Sequence, residues 1–403
     1  MSSVRGERTN RVLQMAQAGL AGFALGALLW GSLPPHSYRK DLQVEYLTAM
    51  ALRDGVDLFT PLTDLSARYF PAATDNFPHP SPYPPVVALI SLPLTLLPFP
   101  AVALLWLMVN IALLLVVGRW LRLSVLGRLA LAAWPPLWCV LSIGQIELAM
   151  LALVMLGWRA AARGRDGMAG IWLGVVAAVK LYPALLLVPF AARRRVRLVM
   201  VAVGMFALSQ LGSLVAVGPA GVVRYYGEVL PAVSARYTVM GLNSSPYGAL
   251  LRLFGGATDV APIAHAPDVV VPVSIALSLF ALVALAKLEP EAAPVALVVA
   301  LPAVWYYSVV VALPRVVALL RSPSLRRAAL LATAAASFVL PLVNLVVGPL
   351  SKLMLWMGSE PSPMAVLLAI QPGGFVALLA LCLLMARDRR RGIAAIGETS
   401  RPR

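Results

Sequence analysis

Apolar runs of 15 to 23 residues recur from one end of this 403-residue chain to the other, most of them in the bilayer-spanning range of about 17 to 25, and short polar stretches separate them. A helix of that length spans the hydrocarbon core of a bilayer, and only helices and closed barrels satisfy their backbone in lipid. The runs lie at 12–33, 83–98, 100–118, 129–143, 146–160, 168–190, 198–217, 271–287, 292–313, 325–347 and 364–386. With 60% hydrophobic residues, 12% charged and a mean hydropathy of +0.85, the composition excludes an ordinary soluble domain, in which about a quarter of residues are charged. The chain therefore reads as an all-α polytopic membrane protein, a single integral domain over 1–403.

A net charge of +16 suggests a nucleic-acid partner only if the basic residues gather into one domain. They punctuate the apolar runs instead: Arg5, Arg8 and Arg11; Arg119, Arg122 and Arg128; Arg159, Arg163 and Arg165; then 193–197, 315–327 and 387–391. That is the positive-inside pattern, which places both termini in the cytoplasm of a plasma-membrane protein and leaves no role for nucleic acid. Eleven runs conflict with two termini on one side, so about twelve segments are expected. Two of the runs are interrupted, one at 180–183 and the other at Pro302, and broken helices line cavities. The first run reads as a retained helix and 387–403 as a basic disordered tail. Cys139 and Cys382 offer neither a disulfide framework nor a zinc spacing.

With the N-terminus inside, residues 34–82 lie outside. They hold six of the 17 acids: Asp41, Glu45, Asp54, Asp57, Asp64 and Asp75. From Asp41 to Asp54 the spacing is helical, with Asp41 and Glu45 on one face and Leu42, Tyr46, Ala49 and Met50 on an apolar side, so a helix lying on the membrane surface is expected. Six prolines between 70 and 85 make that stretch extended and deliver Tyr83 to the next run. A second outer loop, 218–270, holds Arg224, Arg236 and Asn243.

Asp41 at the membrane edge has the chemistry of a general base, and equally that of a helix cap. Glu147 and Gln145, after Trp134-Pro135-Pro136-Leu137-Trp138, open an apolar run and face either a cavity or a turn. Lys180, deep in an apolar run before Tyr182-Pro183, calls for a phosphate or an acid such as Glu147, unless it snorkels to the headgroups. Arg224 and Arg236 are phosphate ligands or solvated loop arginines. Asn243-Ser244-Ser245 also matches a glycosylation sequon. His36, His79 and His265 are scattered and suggest no metal site.

Taken in order, Asp41-Leu42-Gln43-Val44-Glu45-Tyr46, Gly55-Val56-Asp57-Leu58-Phe59, Tyr83-Pro84-Pro85 with Pro93 and Trp106, Gly144-Gln145, Gly170 to Gly174 leading into Lys180-Leu181-Tyr182-Pro183, Asn243-Ser244-Ser245 and Trp305-Tyr306-Tyr307 resemble glycosyltransferase family 87. The resemblance covers roughly residues 10–345. It implies a GT-C transmembrane helix bundle that moves a hexose, mannose first, from a polyprenyl-phosphate-sugar donor to a lipid or glycan hydroxyl at the outer face. Asp41 then matches the catalytic acid, with Glu45 in reserve, and Lys180 the family's basic residue, assisted at the donor phosphate by Arg236 and Arg224. Tyr46, Tyr83, Gln145, Glu147, Tyr182, Asn243, Trp305 and Tyr307 become candidate substrate contacts.

Two positions depart from the family pattern. Glu147 stands where Asn is usual, and Tyr307 where His is common. The chemistry requires no cofactor, and a divalent metal stays open. The competing reading is a transporter or flippase of a lipid-linked sugar, which shares broken helices and buried charges; the lack of an internal repeat and the acids in an outer loop speak against it. An accessory membrane subunit would leave Lys180 and Glu147 unexplained.

Overall fold

A computed structural model describes residues 2–31, 40–70, 76–257, 262, 264–342 and 372–387. The basic tail beyond Arg387, the ends of the last two apolar runs, and the parts of the acidic loop at 32–39 and 71–75, with His36 and Asp75, lie outside the described residues. Every regular element among the described residues is helical. Contacts gather into two units, one of Met1–Ala184 with Met200–Ala235, the other of Leu185–Val199 with Arg236–Arg403.

The first unit contains α1 (Ser2–Trp30), α2 (Lys40–Arg53), α3 (Leu62–Tyr69), α4 (Pro85–Ser91), α5 (Phe99–Trp120), α6 (Val125–Ala130), α7 (Pro135–Ile143), α8 (Glu147–Ala162) and α9 (Asp166–Val179). The second begins with α10 (Val188–Ala192) and the start of α11 (Val196–Arg224), which ends in the first unit. After α12 (Leu230–Thr238) it continues with α13 (Pro246–Leu250), α14 (Val270–Lys287), α15 (Ala293–Ala300), α16 (Leu313–Arg321) and α17 (Arg326–Leu342).

Four helical stretches are long and apolar enough to cross a membrane: Arg11–Trp30, Phe99–Trp120, Val196–Thr238 and Pro267–Lys287. The pair Val125–Ala133 and Pro135–Ile143, bent by 76°, makes a fifth if it counts as one span. Both expected interruptions are present. The α9 helix stops at Val179, and α15 stops at Ala300, before Pro302. The expected second outer loop is helical over much of its length, because after a kink at Gly218 (φ 68°) and Pro219 the chain resumes as helix to Thr238. Its arginines, tyrosines and glutamate read as loop composition, yet a helix tolerates all of them.

The α2 helix is packed against other helices of its unit. Every residue from Leu42 to Ala49 is buried within the protein. Val44, Leu47 and Ala51 pack with Leu62 and Leu65 of α3 and with Tyr83, Val86 and Val87 at α4. Leu42 and Tyr46 pack with Phe99, Val102 and Ala103 of α5. Two apolar sides thus have protein partners, and neither is left for lipid. The α9 helix comes close to α11 at Gly174, where a Cβ would meet the Ala202 carbonyl and Met205; such small-residue contacts are how helices pack when lipid removes the hydrophobic incentive.

Candidate active site

The helix α7 ends on Gly144, whose φ of 78° is the left-handed conformation that glycine adopts without a Cβ penalty. The Trp106 indole on α5 donates to the Gly144 carbonyl at 2.9 Å, and Gln145 N donates to Val140 O at 2.9 Å. Both bonds fix the turn that carries Gln145 and starts α8 at Glu147. Lys180 caps α9 in an extended conformation (φ −131°, ψ 133°), and the chain resumes as a 3-10 turn over Tyr182–Leu187. The break turns its side chain inward.

Five polar side chains meet there. Gln145 Nε2 donates to Asp41 Oδ2 at 2.5 Å, while Gln145 Oε1 accepts from Lys180 Nζ at 3.1 Å, from Tyr83 Oη at 3.4 Å and from Ile146 N at 3.2 Å. Lys180 Nζ also donates to Glu147 Oε1 and stands 5.4 Å from the Tyr83 ring centroid. The lysine side chain is 13% exposed and the Glu147 side chain 1%, so the pair is internal and Lys180 does not snorkel. The other Glu147 oxygen, Oε2, is buried without a partner, as is Glu45 Oε2.

Asp41 is half-buried in the first turn of α2, with its carboxylate turned to Gln145. Burial pushes its pKa up to about 6, although the Gln145 hydrogen bond and the Lys180 charge hold it down. Glu45, one turn later and fully enclosed, is pushed up to about 8 by burial, with its own backbone hydrogen bond opposing and the Asp41 charge adding to the rise. Burial thus raises both carboxyls of one helix face, Glu45 further than Asp41.

The other candidates lie elsewhere. Tyr46 donates to Leu97 O at 2.9 Å and stacks on Phe70, so its hydroxyl and ring both serve packing. The Tyr182 hydroxyl is buried without a partner. Arg224 is paired with Asp57 at 2.9 Å on an exposed surface and covers the Phe59 ring. Arg236, in the second unit, is exposed.

Asn243, also in the second unit, is buried, with its amide donating to Thr238 O at 2.9 Å and Pro302 O at 2.8 Å and its oxygen accepting from Ser245 N and Val304 N, each at 3.0 Å. Its polar atoms are all taken by backbone groups. Trp305 meets Tyr237 edge-on at 5.4 Å, and Tyr307 is buried against Tyr306. Arg252 escaped the sequence reading. It is 1% exposed and donates to Gly241 O at 2.8 Å and Asn243 O at 2.7 Å. An arginine between Leu251 and Leu253 carried the same signal that singled out Lys180. Among the described residues, no group of three or more His, Cys, Asp or Glu side chains is placed to hold a metal ion.

The model of glycosyltransferase family 87 matches residues 82–305, a stretch that begins after Asp41 and includes Tyr83, Gln145, Glu147 and Lys180. A polyprenol-phosphate-mannose-dependent alpha-(1-2)-phosphatidylinositol pentamannoside mannosyltransferase of Mycobacterium tuberculosis is 30% identical over 204 residues, 47% of this chain and 46% of the relative. The protein of the same name from Mycolicibacterium smegmatis is 31% identical over 202 residues, 47% of this chain and 48% of the relative. The chain thus spans about half the length of the curated relatives it matches. No solved structure matches it. Because the family match takes in more than half of its residues, the chain belongs to glycosyltransferase family 87.

Proposed function

We propose that the protein is a membrane mannosyltransferase that moves mannose from a polyprenyl-phosphate-mannose donor to a hydroxyl of a lipid or glycan acceptor. The observation that carries the reading is the chain of contacts from a half-buried Asp41 through Gln145 to Lys180 and Glu147. It joins a base to a cation inside a protein whose family relatives are named for polyprenol-phosphate-mannose-dependent mannosyl transfer. The acceptor oxygen attacks the anomeric carbon, the bond from that carbon to the phosphate oxygen breaks, and the electron pair leaves with the lipid phosphate. The hydroxyl proton passes to Asp41. With a pKa near 6, this carboxylate is a stronger base than an ordinary aspartate and still ionised at neutral pH. Lys180 stabilises the charge that grows on the leaving phosphate.

In this reading about twelve segments cross or enter the membrane, both termini are cytoplasmic and the site opens at the outer face, as the arginines between apolar runs support. The test is transfer by purified protein supplied with polyprenyl-phosphate mannose and lipid acceptors, comparing wild type with Asp41→Asn and Asp41→Ala. Both variants are expected to lose about a thousandfold in kcat, and wild-type activity to decline below about pH 6 as Asp41 protonates. Near-normal transfer by Asp41→Asn removes Asp41 as the base. A wild-type protein that transfers nothing yet moves the lipid-linked sugar between leaflets is a transporter.

A further inference from the structure

We propose that Gln145 is a positioning residue of the transfer reaction, holding the Asp41 carboxylate in its reactive orientation and tying it to Lys180 without touching substrate. The inference rests on the functional reading above and adds a role that the reading does not require. Gln145 is 4% exposed, and its hydrogen bonds run to protein groups at both ends of the amide. The amide has one orientation only. Its oxygen receives the Lys180 ammonium, the Tyr83 hydroxyl and the Ile146 N–H, and its nitrogen faces a carboxylate; turned over, it would set oxygen against carboxylate and N–H against ammonium. A neutral side chain that accepts at one end and donates at the other is what this junction between an anion and a cation needs, and neither glutamate nor leucine supplies both functions.

The charges acting on Asp41 are Lys180 after α9, Glu147 at the start of α8 and Lys40 of its own helix, and Asp41 in turn acts on Glu45, one turn on, and on Tyr83 ahead of α4. Lys180 and Lys40 act on it through charge, whereas Gln145 places a donor on the carboxylate itself. Loss of that donor frees the carboxylate to rotate and makes its ionised form less favourable, which weakens the base most at acid pH.

Two variants separate the halves of the junction. Gln145→Glu keeps oxygen acceptors toward Lys180 and replaces the donor to Asp41, while Gln145→Leu removes both. For each, kcat and donor KM are followed from pH 5 to 9 with polyprenyl-phosphate mannose, and Asp41 protonation is read separately as the carboxyl infrared band that Asp41→Asn abolishes. The acid limb of kcat is expected to move up by about one pH unit, a loss of about fivefold at pH 6 that narrows above pH 8, with donor KM changed less than about threefold. The infrared titration is expected to move with it.

An equal loss at every pH with an unmoved Asp41 titration overturns the proposal and leaves Gln145 a packing residue. A rise in KM alone makes it a substrate contact and overturns it equally. If Gln145→Leu does not fold, the uncharged and similarly long Gln145→Met decides, because Gln145→Glu also sets a second carboxyl against Asp41. If wild type transfers nothing, the functional reading falls, while the infrared titration still shows whether Gln145 governs Asp41.

Discussion

Two buried polar clusters, one in each unit, differ in what their side chains hold. Around Gln145 side chain meets side chain, charged groups lie within contact of one another, and two carboxylate oxygens, Glu45 Oε2 and Glu147 Oε2, have no partner. Around Asn243 side chain meets backbone. One amide closes four bonds to Thr238, Pro302, Ser245 and Val304, Arg252 gathers two carbonyls, and Ser244 N pairs with Val304 O at 2.7 Å. An amide with every polar atom paired, as in Asn243, fixes a chain path, because a buried donor or acceptor left unpaired costs about 1–3 kcal/mol. The Gln145 cluster, with its two unpaired carboxyl oxygens, stores cost instead.

The largest effect expected from this contrast is at Lys180. Replacement by Met leaves Glu147, which is 1% exposed, as a buried charge without its counter-ion, a loss of about 3–5 kcal/mol in stability together with transfer activity. Adding Glu147→Gln is expected to restore the stability but not the activity, and thermal unfolding of the single and double variants in one detergent measures this. A double variant no more stable than Lys180→Met breaks the contrast, because the pair would then be no unit. Next comes Asn243→Ala, which removes a hydrogen bond from four backbone groups and leaves Pro302 O only its bond from Ser245 Oγ; it is expected to lose about 3 kcal/mol while folded molecules keep their kcat. A stable variant without activity moves Asn243 into the catalytic machinery.

The sequence made one cluster legible and hid the other for the same physical reason. Asp41, Glu147 and Lys180 are ionisable residues in or beside apolar runs, where each is costly enough to demand a partner, and the inferred partnership of Lys180 with Glu147 is present. The breaks at 180–183 and Pro302 were legible in the sequence. Gln145 was legible as polar but not as the junction, since only the left-handed turn at Gly144 and the indole of Trp106 aim it. Asn243 looked like a ligand or a sequon because an uncharged polar residue carries no sign of whether backbone or substrate takes its hydrogen bonds. The burial of α2 was hidden because its partners, α3, α4 and α5, come later in the chain.

A smaller effect sets the two acids of α2 apart by pH. Glu45 is raised in the fold from 4.5 to about 8, so the folded state holds its proton more tightly than the unfolded chain does. The stability this supplies is fully present below about pH 4.5 and is lost as pH rises through about 8. Glu45→Gln removes the group that must ionise and is expected to gain a few kcal/mol over wild type at pH 9 and nothing at pH 4.5. Unfolding midpoints at both pH values measure it. An equal gain at the two would show that Glu45 does not titrate across this window.

The smallest effect is expected at Arg224, and it bears on what an arginine in this protein does when it is not enclosed. Its partner Asp57 is 53% exposed and Arg224 itself 47%, so water and salt screen the pair to about 0.5 kcal/mol or less. Arg224→Ala is therefore expected to leave unfolding midpoints unchanged and kcat/KM for the donor within about twofold. A tenfold rise in donor KM, with the gap to wild type narrowing at high salt as screening weakens wild-type binding, would bring Arg224 to the donor phosphate, and the division between an enclosed polar cluster and a solvated surface would then have to be redrawn to include the 57–59 segment, with Phe59 under the guanidinium.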